Sequence, residues 1–542
     1  MPDYGGKQKN LMRTDISMYA YLKESVQNSD EIKVVYRDTK ISAKELIADI
    51  DAVSAFLLSE GVKCGDSIAV CLPNIPQAIA AFYAINKLGA VVNAIHPRLR
   101  GDALISALKK TNTKIIFLYD LLIPKHIKAL RENGIKVVAC AYADYLKGVK
   151  RLYKVPFIAC GKDIVPFRKT LKYSGGEEFF ADGENDAVYL HSSGTSGQSK
   201  TVRLSSRAFN ALSEGLCEMI EEKVGYKLRP DDEMLMTLPV FHGFGLGVCV
   251  HFSLHRFRVV MAPFFKARDV AGIIRRNKIR FMVAVPNMLR RLAAEKRTDN
   301  KALSSVKLVF SGGDKLSDAI RDDFNALLKR NGSDCVVMEG YGLSELTSVV
   351  SINIHPEKNK SQGLPLPGVD VKILSIPDGK ELSAGETGEI CIASKCVMNG
   401  YFDAEAKFSE IGGKMYFHTG DVGHLDEEGF IYLRDRIKRI AIIGGVNIYP
   451  QEVEDVITGV AGVKAACVAR YTDTDGRTRT KAFIELEKGL SLNARMKNTI
   501  REMVENKVIK YASPTLFEQV DELRRNKMGK IDYLYYEDML KG

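Results

Sequence analysis

The chain has 542 residues, 46% of them hydrophobic and 27% charged, a globular balance that excludes disorder, collagen and a membrane bundle. Seventy-eight Lys and Arg against 67 Asp and Glu leave a net +11. Eight cations and one acid fall in Lys147–Lys172, so this stretch alone holds +7, and a uniformly basic nucleic-acid binder gives way to a local patch.

The N-terminus, MPDYGGKQKNLMRTD, lacks the apolar run of a secretory signal, and no stretch reaches the ~18 apolar residues of a spanning helix. Ten cysteines are scattered, with only Cys391 and Cys396 close together and no CxxC pair. They fit neither a zinc site nor a disulfide scaffold and predict reduced, partly buried thiols in a soluble, cytoplasmic protein. The basic patch interleaves its cations with Leu152, Tyr153, Phe157, Phe167 and Tyr173. Two readings stay open for it: a solvated loop, or a peripheral contact with an anionic membrane.

Val188-Tyr189-Leu190 reads as a strand, followed by His191-Ser192-Ser193-Gly194-Thr195-Ser196-Gly197-Gln198-Ser199-Lys200. Small residues let backbone N–H groups approach an anion, while hydroxyls and a lysine add donors and charge. The spacing is not that of a Walker loop, and by itself it also suits a polar linker. Further on, Arg258–Met261, Arg280–Val285, Lys307–Phe310 and Cys335–Met338 are short β-branched apolar runs with helical patterns between them. One such helix is Ser317–Asn331, with Ile320, Phe324, Leu327 and Leu328 on one face behind a Ser317 cap. Alternating strands and helices predict α/β architecture with helix-covered sheets. Ligands in such sheets sit at the carboxyl ends of strands, where Ser311-Gly312-Gly313-Asp314 and Glu339-Gly340-Tyr341-Gly342 form turns. Beyond about residue 435 a strand, Lys481–Glu487, and a helix through Leu492, Met496, Ile500, Met503, Val504 and Val508 predict a small α+β unit.

The Ser-Gly-Thr-Ser-Gly-x-x-Lys string resembles the phosphate loop of the adenylate-forming superfamily, which includes acyl-CoA synthetases, luciferases and peptide-synthetase adenylation domains. Further motifs of that superfamily follow in order: Leu238–Leu246, Ser311-Gly312-Gly313, Glu339–Glu345, Gly385–Glu389, His418-Thr419-Gly420-Asp421, Asp435–Lys438, Gly444–Glu454 and Asn526–Asp532. The resemblance implies a large N-terminal adenylating domain, 1–435, with a subdomain barrel, and a small mobile C-terminal lid, 436–542. It also implies carboxylate attack on the α-phosphorus of ATP, for which the site must supply positive charge and fixed donors.

By the same resemblance, Ser192, Ser193, Gly194, Thr195, Ser196, Gly197 and Lys200 hold the β- and γ-phosphates. Gly313, Gly340 and Tyr341 lie against the nucleotide, and Ser344 donates to the α-phosphate. Glu345 holds Mg²⁺ with the Thr195 hydroxyl nearby, oxygen ligands that suit a hard cation. Asp421 takes both ribose hydroxyls, and Arg436 contacts ribose and phosphate. Lys530 reaches the substrate carboxylate and α-phosphate, Lys438 is the hinge, and Gly444 and Gly445 approach CoA, though a plain turn explains that pair too.

His242 stands where amino-acid-activating relatives carry Asp, which disfavours an amino-acid substrate and makes it a pocket histidine. Gly340 stands where acetyl-specific relatives carry Trp, so the pocket suits a longer acid. Arg439, Ile443 and His191 depart from the usual pattern. The expected activity is ATP-dependent ligation of a medium- or long-chain fatty acid to CoA. A carrier protein's phosphopantetheine as acceptor, and a non-catalytic nucleotide-binding homologue, are the rivals.

Overall fold

The structure, a computed structural model, describes residues 14–26, 29–99, 101–146, 163–175, 182–192, 200–299, 301–526 and 530–541. The chain divides into two compact units. One is drawn from Met1–Ser192, Thr201–Asp370 and Ala393–Ala406, the other from Ser193–Lys200, Val371–Ile392 and Lys407–Gly542.

The first unit holds two large sheets. In the nine-stranded sheet, Val337–Tyr341, Leu308–Ser311, Phe281–Ala284, Glu233–Met236, Arg258–Met261 and Ile32–Tyr36 run parallel, and antiparallel strands close both edges. Central strands such as Phe281–Ala284 and Leu308–Ser311 are buried along their whole length, as a sheet covered on both faces requires. The eight-stranded sheet is parallel through Asp186–Ser192, Val91–Ala94, Ser67–Cys71, Ile115–Tyr119, Lys136–Cys140 and Ile164–Pro166. The helix Pro76–Lys87 is buried on every side, so its sequence, PQAIAAFYAINK, shows no polar stripe. The expected helix behind Ser317 spans Asp318–Arg330, with the Ser317 hydroxyl accepting from the Ile320 N–H and Phe324, Leu327 and Leu328 buried.

Lying mostly in the second unit, Val369–Leu374, Gly388–Ser394, Phe408–Ile411, Lys414–Leu425 and Ile431–Arg436 make a five-stranded sheet. A three-stranded sheet of Val463–Thr472, Thr478–Leu486 and Leu516–Val520 follows, with helices Pro450–Thr458 and Ala494–Lys507. Ile457, Val468, Ile484, Ile500 and Val504 share one core there, which accounts for the apolar period of the second helix.

Among the described residues no helix is long and apolar enough to cross a membrane. The nine described cysteines are free; seven are buried, Cys335 is half-buried and Cys64 is exposed. Of the basic patch, residues 147–162 lie outside the described residues. In the remainder, Arg168 donates to the Ala143 and Asp144 carbonyls and Phe167 is buried, whereas Lys169 and Lys172 are exposed.

Candidate active site

Three loops of the first unit leave the carboxyl ends of parallel strands. Glu233–Met236 leads into Leu238–Gly245, Leu308–Ser311 into Gly312-Gly313, and Val337–Tyr341 into Gly342–Glu345. The last two strands are direct neighbours, with Ser311 opposite Glu339, so Gly313 and Ser344 belong to adjacent loops. One expectation is corrected here. Gly340 and Tyr341 are not a turn but the end of the strand, paired with Ile352 and Ser351. The strand also starts later than the apolar run Cys335–Met338 implied, because the Ser333 hydroxyl takes the Cys335 N–H and Asn325 takes that of Val337.

Ser344 and Glu345 occupy a single 3₁₀ turn and are half-buried. Glu345 accepts from the Tyr401 hydroxyl at 2.9 Å, and its carbonyl accepts from Met398 N–H at 2.8 Å. Glu339 is buried and holds the preceding loop, accepting from Leu316 N–H and from Arg321, both at 3.0 Å. The His242 ring is tilted against that of Phe241, which in turn packs on His96 with ring centres 4.4 Å apart. Burial, with Arg98 nearby, holds His96 below its ordinary pKa.

Of the phosphate loop, Ser193, Gly194, Thr195, Ser196 and Gly197 lie outside the described residues. Ser192 is the last residue of strand Asp186–Ser192, and Lys200 the first of Lys200–Ser205. His191, just before the loop, has Asn93 at 2.6 Å from one ring nitrogen and Thr201 at 3.2 Å from the other. Burial lowers its pKa to about 4, so it is a neutral strand-to-strand tie at pH 7.

In the second unit, Asp421 and Arg436 are cross-strand partners joined by an ion pair of 2.9 Å. Asp421 is buried, and the Arg436 side chain is 38% exposed. Lys438 is exposed on the turn Ile437–Arg439. The turn is anchored by Asp435, which accepts from Arg436 N–H and Gln451 N–H, each at 2.7 Å. Arg439, the unusual basic residue there, is buried against Glu454 and lies 4.8 Å from the Tyr533 ring centre. Its charge therefore has a partner inside the unit. Gly444 and Gly445 are the two central residues of the hairpin Ala441–Ile443 to Val446–Ile448, with φ of +60° and +81°. A tight hairpin needs positive φ at both, so the turn alone accounts for the pair. Lys530 is exposed and closes a turn with Asn526, which receives its N–H at 3.2 Å and donates to its carbonyl at 2.8 Å.

The AMP-binding enzyme family matches residues 22–402, and the AMP-binding enzyme C-terminal domain matches 452–530. The chain belongs to the AMP-binding enzyme family. It is an adenylate-forming enzyme of the acyl-CoA synthetase type, which removes the non-catalytic reading. A long-chain-fatty-acid–CoA ligase of Bacillus subtilis (strain 168) is 29% identical over 93% of this chain and 90% of the relative. A fatty acid–[acyl-carrier-protein] ligase, ScoC, of Streptomyces coeruleorubidus is 26% identical over 91% and 90%. ATP-bound MatB from Rhodopseudomonas palustris superposes with a TM-score of 0.82 at 23% identity over 97% of this chain and 99% of that one.

Two residues around this AMP-binding enzyme's Ser344–Glu345 turn were not legible in the sequence. Tyr401 lies on the short strand Gly400–Tyr401, far along the chain. Thr347 is buried at φ +65°, left-handed for a β-branched residue, and its hydroxyl donates to the Cys396 carbonyl at 2.8 Å. Such strain costs on the order of 1–3 kcal/mol and marks a functional turn more often than an idle one.

Proposed function

We propose that this enzyme activates an apolar carboxylic acid, a medium- or long-chain fatty acid, and ligates it to CoA. The observation carrying this is a cavity in the first unit beside Gly340, lined by Leu216, Met234, Phe244, Val248, Phe310 and Val349 among others. As it stands, the space inside holds little more than a single water. Met234 and Phe244 must therefore turn aside for an acyl chain, an adjustment an unbranched thioether makes readily.

An acid oxygen attacks the α-phosphorus of ATP, the bond to the bridging oxygen breaks, and pyrophosphate leaves. The CoA sulfur then attacks the acyl carbonyl, and AMP leaves. In this reading Ser344 donates to the α-phosphate, the Ser192–Lys200 stretch holds the β- and γ-phosphates, and Gly313, Gly340 and Tyr341 bound the nucleotide. Lys530 puts its charge where negative charge gathers during adenylation. Asp421 takes the ribose hydroxyls, and Lys438 is the hinge of a lid beginning near residue 436. Glu345 and Thr195 would hold Mg²⁺, which when bound neutralises phosphate charge. The half-buried carboxylate of Glu345, oriented by a phenol, fits such an ion. A cytoplasmic location, and a membrane contact through Lys147–Lys172, remain parts of the proposal.

Similarity to ScoC favours a second reading, with a carrier protein's phosphopantetheine as acceptor. A panel of acids of rising chain length, assayed for AMP release with CoA or with loaded carrier protein, tests both. Longest-chain preference with CoA is expected, and Gly340→Trp should cut kcat/KM for long acids about tenfold or more while sparing short ones. Turnover of short or amino acids alone would overturn the substrate reading. Turnover with carrier protein alone would overturn the acceptor.

A further inference from the structure

The segment that presents Asp421 is an irregular piece of sheet. Strand Lys414–Leu425 pairs with Gly388–Ser394, with Val422 opposite Glu389 and His418 opposite Cys391. Thr419, Gly420 and Asp421 therefore face only Ile390, and the regular ladder is interrupted where the nucleotide residue emerges. Side chains supply the missing bonds. The Thr419 hydroxyl donates to the Ile390 carbonyl at 2.7 Å and accepts the Asp421 N–H at 3.0 Å. Glu389 accepts the Gly420 N–H through Oε1 at 3.0 Å, and its Oε2 lies 2.7 Å from His418 Nδ1. The far nitrogen of that ring, Nε2, is 2.7 Å from the Ser409 hydroxyl. Glu389 and His418 are both buried, so neither can trade these contacts for water.

Glu389, Cys391 and His418 place their donor atoms within 4.8 Å of one another, which raises the question of a metal. The spacing answers it. Two ligands on one tetrahedral zinc stand roughly 3.3 Å apart, whereas Oε2 and Nδ1 are at hydrogen-bond distance. Burial also pushes the Cys391 thiol up to about 12, away from the thiolate a metal needs. The three groups satisfy each other.

We propose that Glu389 is a positioning residue for nucleotide binding: clamped by His418 and Ser409, it fixes the bulge at Gly420 so that the Asp421 carboxylate faces the ribose. The inference rests on Asp421 being the ribose residue. Removing the carboxylate leaves the Gly420 N–H without its acceptor and lets the bulge relax, which blurs the aim of Asp421 without altering the phosphate or acid residues of the first unit.

The test compares ATP with 2′-deoxy-ATP in acid-dependent pyrophosphate exchange, for wild type, Asp421→Ala, Glu389→Ala and Glu389→Gln. Wild type should prefer ATP by about tenfold or more in kcat/KM, the worth of one hydrogen bond to a charged group. Asp421→Ala should erase that preference. Glu389→Ala should erase most of it and raise the KM for ATP about tenfold, with the KM for the acid within about threefold of wild type. Glu389→Gln keeps an acceptor for Gly420 and turns an amide N–H toward His418, whose ring accepts it once its proton sits on Nε2 facing Ser409, so it should restore the preference. If Glu389→Ala does not fold, Glu389→Asp, with its carboxylate drawn back by one methylene, replaces it. A folded Glu389 variant with undiminished preference, beside an Asp421→Ala that has lost it, overturns the role of Glu389. Undiminished preference in Asp421→Ala itself overturns the ribose reading, and the role of Glu389 with it.

Discussion

Glu345 shares a carboxylate oxygen with the Tyr401 hydroxyl, and that contact decides how the side chain is aimed. Tyr401→Phe keeps the ring and removes the donor. Under the proposed Mg²⁺ role of Glu345, loss of about 1 kcal/mol of orientation should raise the Mg²⁺ concentration for half-maximal pyrophosphate exchange about fivefold, whereas Glu345→Gln should lose most exchange at any Mg²⁺ level. A Mg²⁺ titration of the three proteins checks this, and an unmoved midpoint in Tyr401→Phe would detach the phenol from the metal task. Glu345 stands out in the sequence as a candidate because Glu-Gly-Tyr-Gly-Leu-Ser-Glu is a string of neighbours. Tyr401 was not. It comes from another part of the chain, and only the antiparallel pairing of Gly400 and Tyr401 with Arg203 and Val202 fixes its place. Glu389 lay in a motif, but its task depends on a register slip that no spacing rule displays.

At the scale of elements, the Ser344–Glu345 turn is braced by the loop before the π-helix Phe244–Phe252. A Cβ on Gly243 would stand 2.0 Å from the Thr347 carbonyl oxygen, a backbone atom that cannot step aside cheaply. Gly243→Ala should therefore displace the strained turn and lower kcat/KM for adenylation by about tenfold or more, with less effect on thioester formation from supplied acyl-adenylate. Equal losses in both half-reactions would place the damage elsewhere. In the sequence Gly243 stands out only as part of a motif. Its reason is a close approach from residues about a hundred positions later, which periodicity does not encode. Regular elements were far more legible. Arg258–Met261 has the bounds its β-branched run suggested, since a buried parallel strand is an uninterrupted apolar segment. The strand Val337–Tyr341 runs past its apolar run Cys335–Met338 through Glu339 and Gly340, which look like turn residues. Glu339 is tolerated inside the sheet through its bonds to Leu316 N–H and Arg321.

For the molecule as a whole, acid should act first through buried neutral histidines. His251 is fully buried among Tyr83, Asn210 and His255, and burial lowers its pKa to about 3. Its folded pKa lies below its unfolded value of about 6.5, so the unfolded chain binds the proton first. Stability is complete above pH 6.5 and falls as pH drops toward 3, by ~2 kcal/mol at pH 5. Melting curves between pH 7 and 4.5 should show this fall, and His251→Gln should flatten it; parallel pH slopes for the two proteins would assign the acid sensitivity to other groups. The alternation of strands and helices made the architecture readable at this scale. The buried histidine network, assembled from four helical segments, had no sequence signal beyond ordinary spacing.

The ion pair between Asp421 and Arg436 also bears on the proposed ribose role of Asp421. The buried carboxylate already has a cation beside it, so under that proposal ribose docking is an exchange of partners and not the filling of a vacant seat. A sugar that takes up the carboxylate would unmask the guanidinium, whereas a sugarless triphosphate would meet an arginine whose charge is already answered. Under the same proposal, selectivity for a nucleotide over inorganic polyphosphate would depend on a single cross-strand contact.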